Sequence, residues 1–323
     1  MESLRISARH TGALMPTNPG QLSPDFYQRF LNHLQVKAPT YKAYSVAIRN
    51  FMAWLEVNGI RAPKCEDVGN WVRHLSQVER KEPTTVRLYV AAVKVFFDYL
   101  CNDLQAYPNI AARTKAPKPP KGHRKGFLTA DQVRAVLESI DTTTAKGKRD
   151  RAIIALMVSC GLRDVEVYRA NIENLTTRGA VDVLEVWGKG RDVADALVVV
   201  PGPAMEALRD YLKTRMEVPS DSLGSPLFVS MSRNGTAGRM TTRTVSRICK
   251  NALRAAGIDR RSITAHSLRH TFATLSYLSG ESIEDIKQAC RHSSVTTTQT
   301  YVHEIEEYKN TCSAAVSSAI FGT

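Results

Sequence analysis

The sequence predicts a multidomain α+β protein: an all-helical N-terminal domain, then a mainly helical domain with a small antiparallel sheet. Three observations predict it. At 323 residues the chain exceeds the ~100–200 residues usual for one domain. From residue 23 to 110 apolar residues recur at helical spacing. Beyond Phe127 helical stretches alternate with β-prone runs around a glycine-containing turn.

Residues 1–22 read as an N-terminal extension. They lack an apolar run of signal-peptide length, and no later stretch approaches the roughly 18 apolar residues of a membrane span. A cytoplasmic, unprocessed protein with no membrane partner is expected. The helical domain spans 23–112, with helices over 23–35, 38–59, 65–78 and 82–103. In the second, Tyr44, Ile48, Phe51 and Leu55 form one stripe that stops at Gly59. In the fourth, Val86, Val90, Val93 and Phe97 do the same.

Residues 113–126, RTKAPKPPKGHRKG, hold six Lys/Arg, three Pro, two Gly and no acidic residue. Such a segment builds no core and reads as a basic linker lying against a polyanion, with Lys121, Arg124 and Lys125 as contacts. The second domain, 127–310, predicts helices at 129–140, 148–160, 203–216, 241–256, 266–279 and 282–290. The run 181–200 predicts a hairpin, and PLFVS at 226–230 another short strand. The tail, 311–323, is small and apolar, with Val316, Ile320 and Phe321.

The formal charge of +13 favours polyanionic partners. Six cysteines are scattered without a CxxC or a Cys/His cluster, which argues against a zinc site and a disulfide framework.

Four motifs carry chemistry. Gly188-Lys189-Gly190 sets one ammonium at a hairpin tip. In Gly161-Leu162-Arg163-Asp164-Val165-Glu166 a glycine ends one helix, and Arg163 and Glu166 sit three apart on the next; alone, they read as a surface ion pair. His266-Ser267-Leu268-Arg269-His270 opens a helix after Thr264, with His266, Arg269 and His270 on one face and Leu268 and Phe272 toward a core. The last runs from Arg291-His292 through Thr297-Thr298-Gln299-Thr300-Tyr301 to His303.

With these motifs in this order, the chain resembles the tyrosine recombinases, the site-specific recombinases and integrases that include the Xer proteins and Cre. The resemblance covers almost the whole chain and implies a helical core-binding domain followed by a catalytic domain. It implies catalytic roles for Arg163, Lys189, His266, Arg269, His292 and Tyr301, with Glu166 as the accompanying acid and Tyr301 as nucleophile. One departure is visible: Arg291 stands where most relatives carry glycine.

The residue types suit that chemistry. Guanidinium forks bind the non-bridging oxygens of a phosphodiester under attack, a role for Arg163 and Arg269 that can replace a divalent metal. His266 and His292 can each offer a ring N–H, and His266 can take the phenol proton. The resemblance implies that Lys189 protonates the departing 5′ oxygen. Glu166 is expected to orient its neighbours and His270 to be structural. No metal and no cofactor is called for.

The resemblance further implies double-stranded DNA sites clamped between the two domains, and a homotetramer on two duplexes, with a dimer on a single site. The tail is expected to dock into a neighbouring protomer. Candidate DNA contacts are Thr40, Tyr41, Lys42 and Arg49 on one helix, Thr84, Thr85, Arg87 and Lys94 on another, and Arg243, Arg247 and Lys250 before the HSLRH motif. Two other readings stay open. A type IB topoisomerase shares the chemistry without pairing two sites, and the tail argues against it. A non-catalytic DNA-binding regulator on the same fold would not need every catalytic residue type.

Overall fold

The structure is a computed structural model that describes residues 21–118, 126–187, 194–231, 238–260, 262–292, 294–295, 317 and 320. It divides into two compact units, Met1–His123 and Arg124–Thr323, each with its own core. Among the described residues no helix is long and apolar enough to cross a membrane, and Cys65, Cys101, Cys160, Cys249 and Cys290 are free thiols.

In the first unit, α1 (Pro24–His33), α2 (Ala38–Val57), α3 (Cys65–Gln77) and α4 (Pro83–Asp98) follow in order, α4 running on into a π-helical turn at Tyr99–Asp103. The predicted stripes are the packing faces: Ile48, Phe51 and Leu55 of α2 and Val86, Val90, Val93 and Phe97 of α4 are buried, with Tyr44 at the margin. Phe51 meets the Trp71 ring edge-on at 5.0 Å and the Phe97 ring at 6.0 Å, the offset geometry aromatic quadrupoles favour. The one polar atom Trp71 brings inside is satisfied, since its indole N–H donates to Asn50 Oδ1 at 3.0 Å. Leu22 joins this core and Ala116 packs on it.

In the second unit the helices are α5 (Ala130–Glu138), α6 (Ala145–Ser159), α7 (Asp164–Arg169), α8 (Gly202–Leu212), α9 (Thr242–Ala255), α10 (Ala265–Leu278) and α11 (Ile283–Ala289). Helix α6 is the hub. Its second half, from Ala152 to Val158, is buried on every side, as a helix apolar all round must be. It packs against α5, α7, α8, α9 and α10. Thr144 caps it by accepting from the Gly147 N–H at 3.0 Å.

Between α7 and α8 lies an antiparallel sheet in the order β1 (Leu175–Arg178), β2 (Val181–Val186), β3 (Ala196–Val199). Its register sets Leu184 opposite Val198 and Val183 opposite Val199. Leu184, Val186 and Val198 join the core while Leu197 and Val199 face outward. The expected hairpin is therefore present, with β1 added across the tight turn at Gly179 (φ 63°).

The strand expected at 226–230 is corrected. Leu227, Phe228 and Val229 are buried, but they form only isolated bridges, Asn171 to Pro226 and Val229 to Arg239. Their backbone groups find partners one at a time. The Leu227 N–H donates to Ala170 O at 2.8 Å, the Val229 N–H donates to the Tyr211 hydroxyl at 3.1 Å, and Val229 O accepts from Arg149 Nη1 at 3.0 Å. Partners found singly in this way take the place of a ladder at Leu227 and Val229.

Phe97→Ala should cost the helical unit about 3–5 kcal/mol. Hydrogen exchange should show lost protection across α2 to α4 and none across α6, because the two cores are separate clusters.

Candidate active site

Three segments of the second unit converge on one carboxylate. The first is the turn after α6, where Gly161 adopts φ 59°; a Cβ there would meet the Phe272 ring at 2.7 Å, so glycine is required for both reasons. Arg163 then caps α7, and the Glu166 side chain accepts from the Arg163 backbone N–H at 2.8 Å. The second segment is α10, whose start is fixed by the Thr264 N–H donating to Ser267 Oγ at 3.0 Å. The third is the end of α11. There the Arg291 N–H donates to Gln288 O at 2.8 Å and the His292 N–H to Lys287 O at 3.0 Å. This is a Schellman closure whose turning residue, Arg291, is left-handed at φ 52°. That conformation costs a non-glycine residue about 1–2 kcal/mol. It is also the conformation that delivers His292 to the cluster.

The Glu166 side chain is fully buried. Arg163 Nη1 donates to its Oε1 at 2.6 Å; Arg291 donates to both oxygens, Nε to Oε1 at 3.2 Å and Nη2 to Oε2 at 2.7 Å. Arg269 Nη1 stands 3.8 Å from Oε2 and donates instead to Gly161 O at 2.6 Å. Glu166 thus pairs with Arg163 and Arg291 and stands beside Arg269. The surface ion pair that the Arg163/Glu166 spacing suggests is corrected: three cationic side chains enclose the acid away from water.

His266 is exposed, whereas Arg269 is 1% and His270 2% exposed, because α10 runs through the unit with most of its circumference covered. Among the described residues, Arg269 Nε and Nη2 have no hydrogen-bond partner. Buried guanidinium donors left unpaired are costly, and a fork with two open donors is suited to a planar pair of anionic oxygens. No group of three or more His, Cys, Asp or Glu side chains among the described residues could hold a metal ion.

The electrostatics follow from this packing. Burial alone would push the Glu166 carboxyl up, but the hydrogen bonds and charge of Arg291, with Arg163, hold it below the usual carboxylate range. Burial and the neighbouring Arg163 bring the Arg269 guanidinium down to about 10, so it stays charged at neutral pH. Burial, then the charges of Arg269, Arg163 and Arg291, push His292 down to about 3. His292 is thus a neutral imidazole at pH 7, able to donate one ring N–H.

Of the predicted site residues, Arg163, Glu166, Arg269 and His292 come together. Lys189, Tyr301, Lys121, Arg124 and Lys125 lie outside the described residues, as does the 311–323 tail apart from Ser317 and Ile320; Ile320 is 66% exposed. Among the DNA-contact candidates, Tyr41, Lys42, Arg49, Thr84, Arg87, Arg243 and Arg247 are exposed, and Thr40, Thr85, Lys94 and Lys250 half-buried. Lys250 is paired with Asp259 at 3.3 Å. In the sequence Arg291 is visible only as a departure from glycine; the structure adds it to the cluster. Its signal was an arginine at a helix end where the chain must turn left-handed.

His292 gives this cluster a pH signature. Its native value lies below the ordinary 6.5, so the unfolded chain binds a proton the native one refuses, and stability falls as pH drops from about 6.5 toward 3. Glu166, with an ordinary value of 4.5, adds its own loss only at lower pH. Between pH 7 and 5 the melting temperature of His292→Gln should therefore fall less than that of the wild type.

Comparison with known proteins followed the same two units. Residues 126–307 match the family described as "Phage integrase family", and residues 22–106 match "Phage integrase, N-terminal SAM-like domain". Tyrosine recombinase XerC of Myxococcus xanthus is 32% identical over 212 residues, 66% of this chain and 69% of the relative. Tyrosine recombinase XerD of Listeria monocytogenes serotype 4b is 28% identical over 290 residues, 86% of this chain and 94% of the relative. XerH site-specific recombinase, solved on a palindromic difH substrate as a post-cleavage complex, superposes with a TM-score of 0.69 at 20% identity over 86% of this chain and 79% of that one. A lambda integrase dimer bound to a core site gives 0.65 at 18% identity, covering 84% and 96%. These two share the fold.

Proposed function

The chain belongs to the phage integrase family, and from that premise we propose that it is a site-specific DNA recombinase cutting with Tyr301 through a 3′-phosphotyrosyl intermediate. The observation that carries this reading is the buried guanidinium of Arg269, whose Nε and Nη2 have no hydrogen-bond partner among the described residues, in one cluster with Arg163. Unpaired guanidinium donors in such a cationic cluster suit the non-bridging oxygens of a phosphodiester and would stabilise charge that builds there during attack.

In the first step the Tyr301 phenol oxygen attacks the scissile phosphorus. A new P–O bond forms, the bond to the 5′ oxygen breaks, His266 takes the phenol proton and Lys189 supplies one to the departing 5′ oxygen. A phenol with an ordinary pKa near 10 is mostly protonated at pH 7, so the positive field of the arginines assists ionisation. His292, neutral, donates a ring N–H to the phosphate. In the second step a 5′ hydroxyl of the partner duplex attacks the phosphotyrosyl phosphorus and releases Tyr301. Because one phosphodiester replaces another, bond energy is conserved. Two such rounds, within a homotetramer on two duplexes, pass through a Holliday junction, and the 311–323 tail docks one protomer onto the next. Exposed α2, α4 and α9 residues, Arg87 and Arg247 among them, contact the DNA backbone.

The test uses a site recovered by binding selection from a random duplex pool and nicked beside the scissile position, so that the released strand cannot be rejoined. Wild type should accumulate a covalent protein–DNA adduct. Tyr301→Phe should form none, and Arg269→Ala should form it roughly 10²–10³ times more slowly; an adduct in the Phe variant at the wild-type rate would contradict the mechanism.

A further inference from the structure

Arg291 breaks a local rule, and what its side chain does accounts for that. The turning position after α11 is left-handed at φ 52°, where glycine is the unstrained choice. Strained positions persist where the surroundings over-determine them, and an arginine held in one calls for a reason in its side chain. The guanidinium is committed on every nitrogen. Nε donates to Glu166 Oε1 at 3.2 Å, Nη2 to Glu166 Oε2 at 2.7 Å and to Gly161 O at 3.0 Å, and Nη1 to Ala289 O at 2.6 Å. The Arg291 carbonyl in turn accepts from Arg163 Nη2 at 3.0 Å.

We infer that Arg291 is a positioning residue for strand cleavage: by holding both oxygens of Glu166, it leaves Arg269 free to present Nε and Nη2 to the scissile phosphate. This inference rests on the cleavage reaction proposed above. A bare carboxylate between Arg163 and Arg269 would draw both forks onto itself and cancel part of the field they direct at a phosphate. Arg291 occupies the carboxylate bidentately instead, and Arg269 stands 3.8 Å from it, beyond hydrogen-bonding distance. Arg291 also shares the Gly161 carbonyl with Arg269, which fixes the second guanidinium relative to the first. With its Nε and Nη2 donors spent inside the protein, Arg291 acts on the phosphate through Glu166 and Arg269.

Arg291→Gly removes the guanidinium at a position whose backbone suits glycine, so the Schellman turn and His292 keep their places. At saturating protein on the nicked substrate, its single-turnover cleavage should fall roughly 10- to 100-fold, the scale expected when reacting groups are misplaced by about an ångström. DNA affinity, measured by gel shift on the same duplex, should stay within about threefold. A residue that only props up the fold would not produce this split between binding and cleavage. Arg291→Lys keeps the charge and loses the fork, and should recover only part of the lost rate. A wild-type rate in Arg291→Gly, full recovery by lysine, or a loss of affinity large enough to account for the slower cleavage would overturn the assignment. Tyr301→Phe run in parallel separates the two claims. If it still forms the adduct, the cleavage reading fails; if it forms none while Arg291→Gly cuts at the wild-type rate, only the positioning role fails.

Discussion

Burying an ionised carboxylate costs several kcal/mol unless close cations and hydrogen bonds replace its hydration, and the side chain of Glu166 is wholly buried. Its compensation comes from three places in the sequence: Arg163 on its own turn, Arg291 from the end of α11 at 2.7 Å, and Arg269 on α10 at 3.8 Å. Without the acid, three guanidiniums would face one another with no anion to offset their repulsion. The carboxylate is the constraint from which the arrangement of the three guanidiniums follows.

The fold supplies the frame for that constraint. Helix α6 is apolar on all sides along its second half and serves as the hub of the second unit. It leads into the turn at Gly161, whose carbonyl accepts from both Arg269 and Arg291. One backbone oxygen thus ties the hub to two of the three cations. Burial lowers the pKa of Arg269 and His292, and the same burial strengthens whatever those groups do to a phosphate, since interactions grow as the local dielectric falls.

Much of this was legible in the sequence. The stripes of α2 and α4 followed from spacing alone, and the hairpin of β2 and β3 from β-prone runs around a glycine turn. Strand β1 was not legible: Leu175–Arg178 contributes one apolar residue and leans on β2 for its identity. The run 226–230 misled for the converse reason, because a buried apolar segment looks the same whether a ladder or scattered single bonds satisfy its backbone. In the site, Arg163, Arg269 and His292 were legible as motif members. The burial of Glu166 was not, since an Arg and a Glu three apart read as a surface pair until a third chain segment covers them. Arg291 was visible as an unusual residue, but where its side chain goes depends on a backbone dihedral that composition does not encode.

The central claim is that pairing Glu166 with Arg163 and Arg291 directs the open donors of Arg269 at the scissile phosphate. A crystal structure of Tyr301→Phe on its selected DNA site tests it most directly. The account predicts a non-bridging phosphate oxygen about 2.7–2.9 Å from Arg269 Nε or Nη2, with Arg291 still forked on Glu166. A scissile phosphate bound elsewhere, with Arg269 turned onto protein groups, would contradict it.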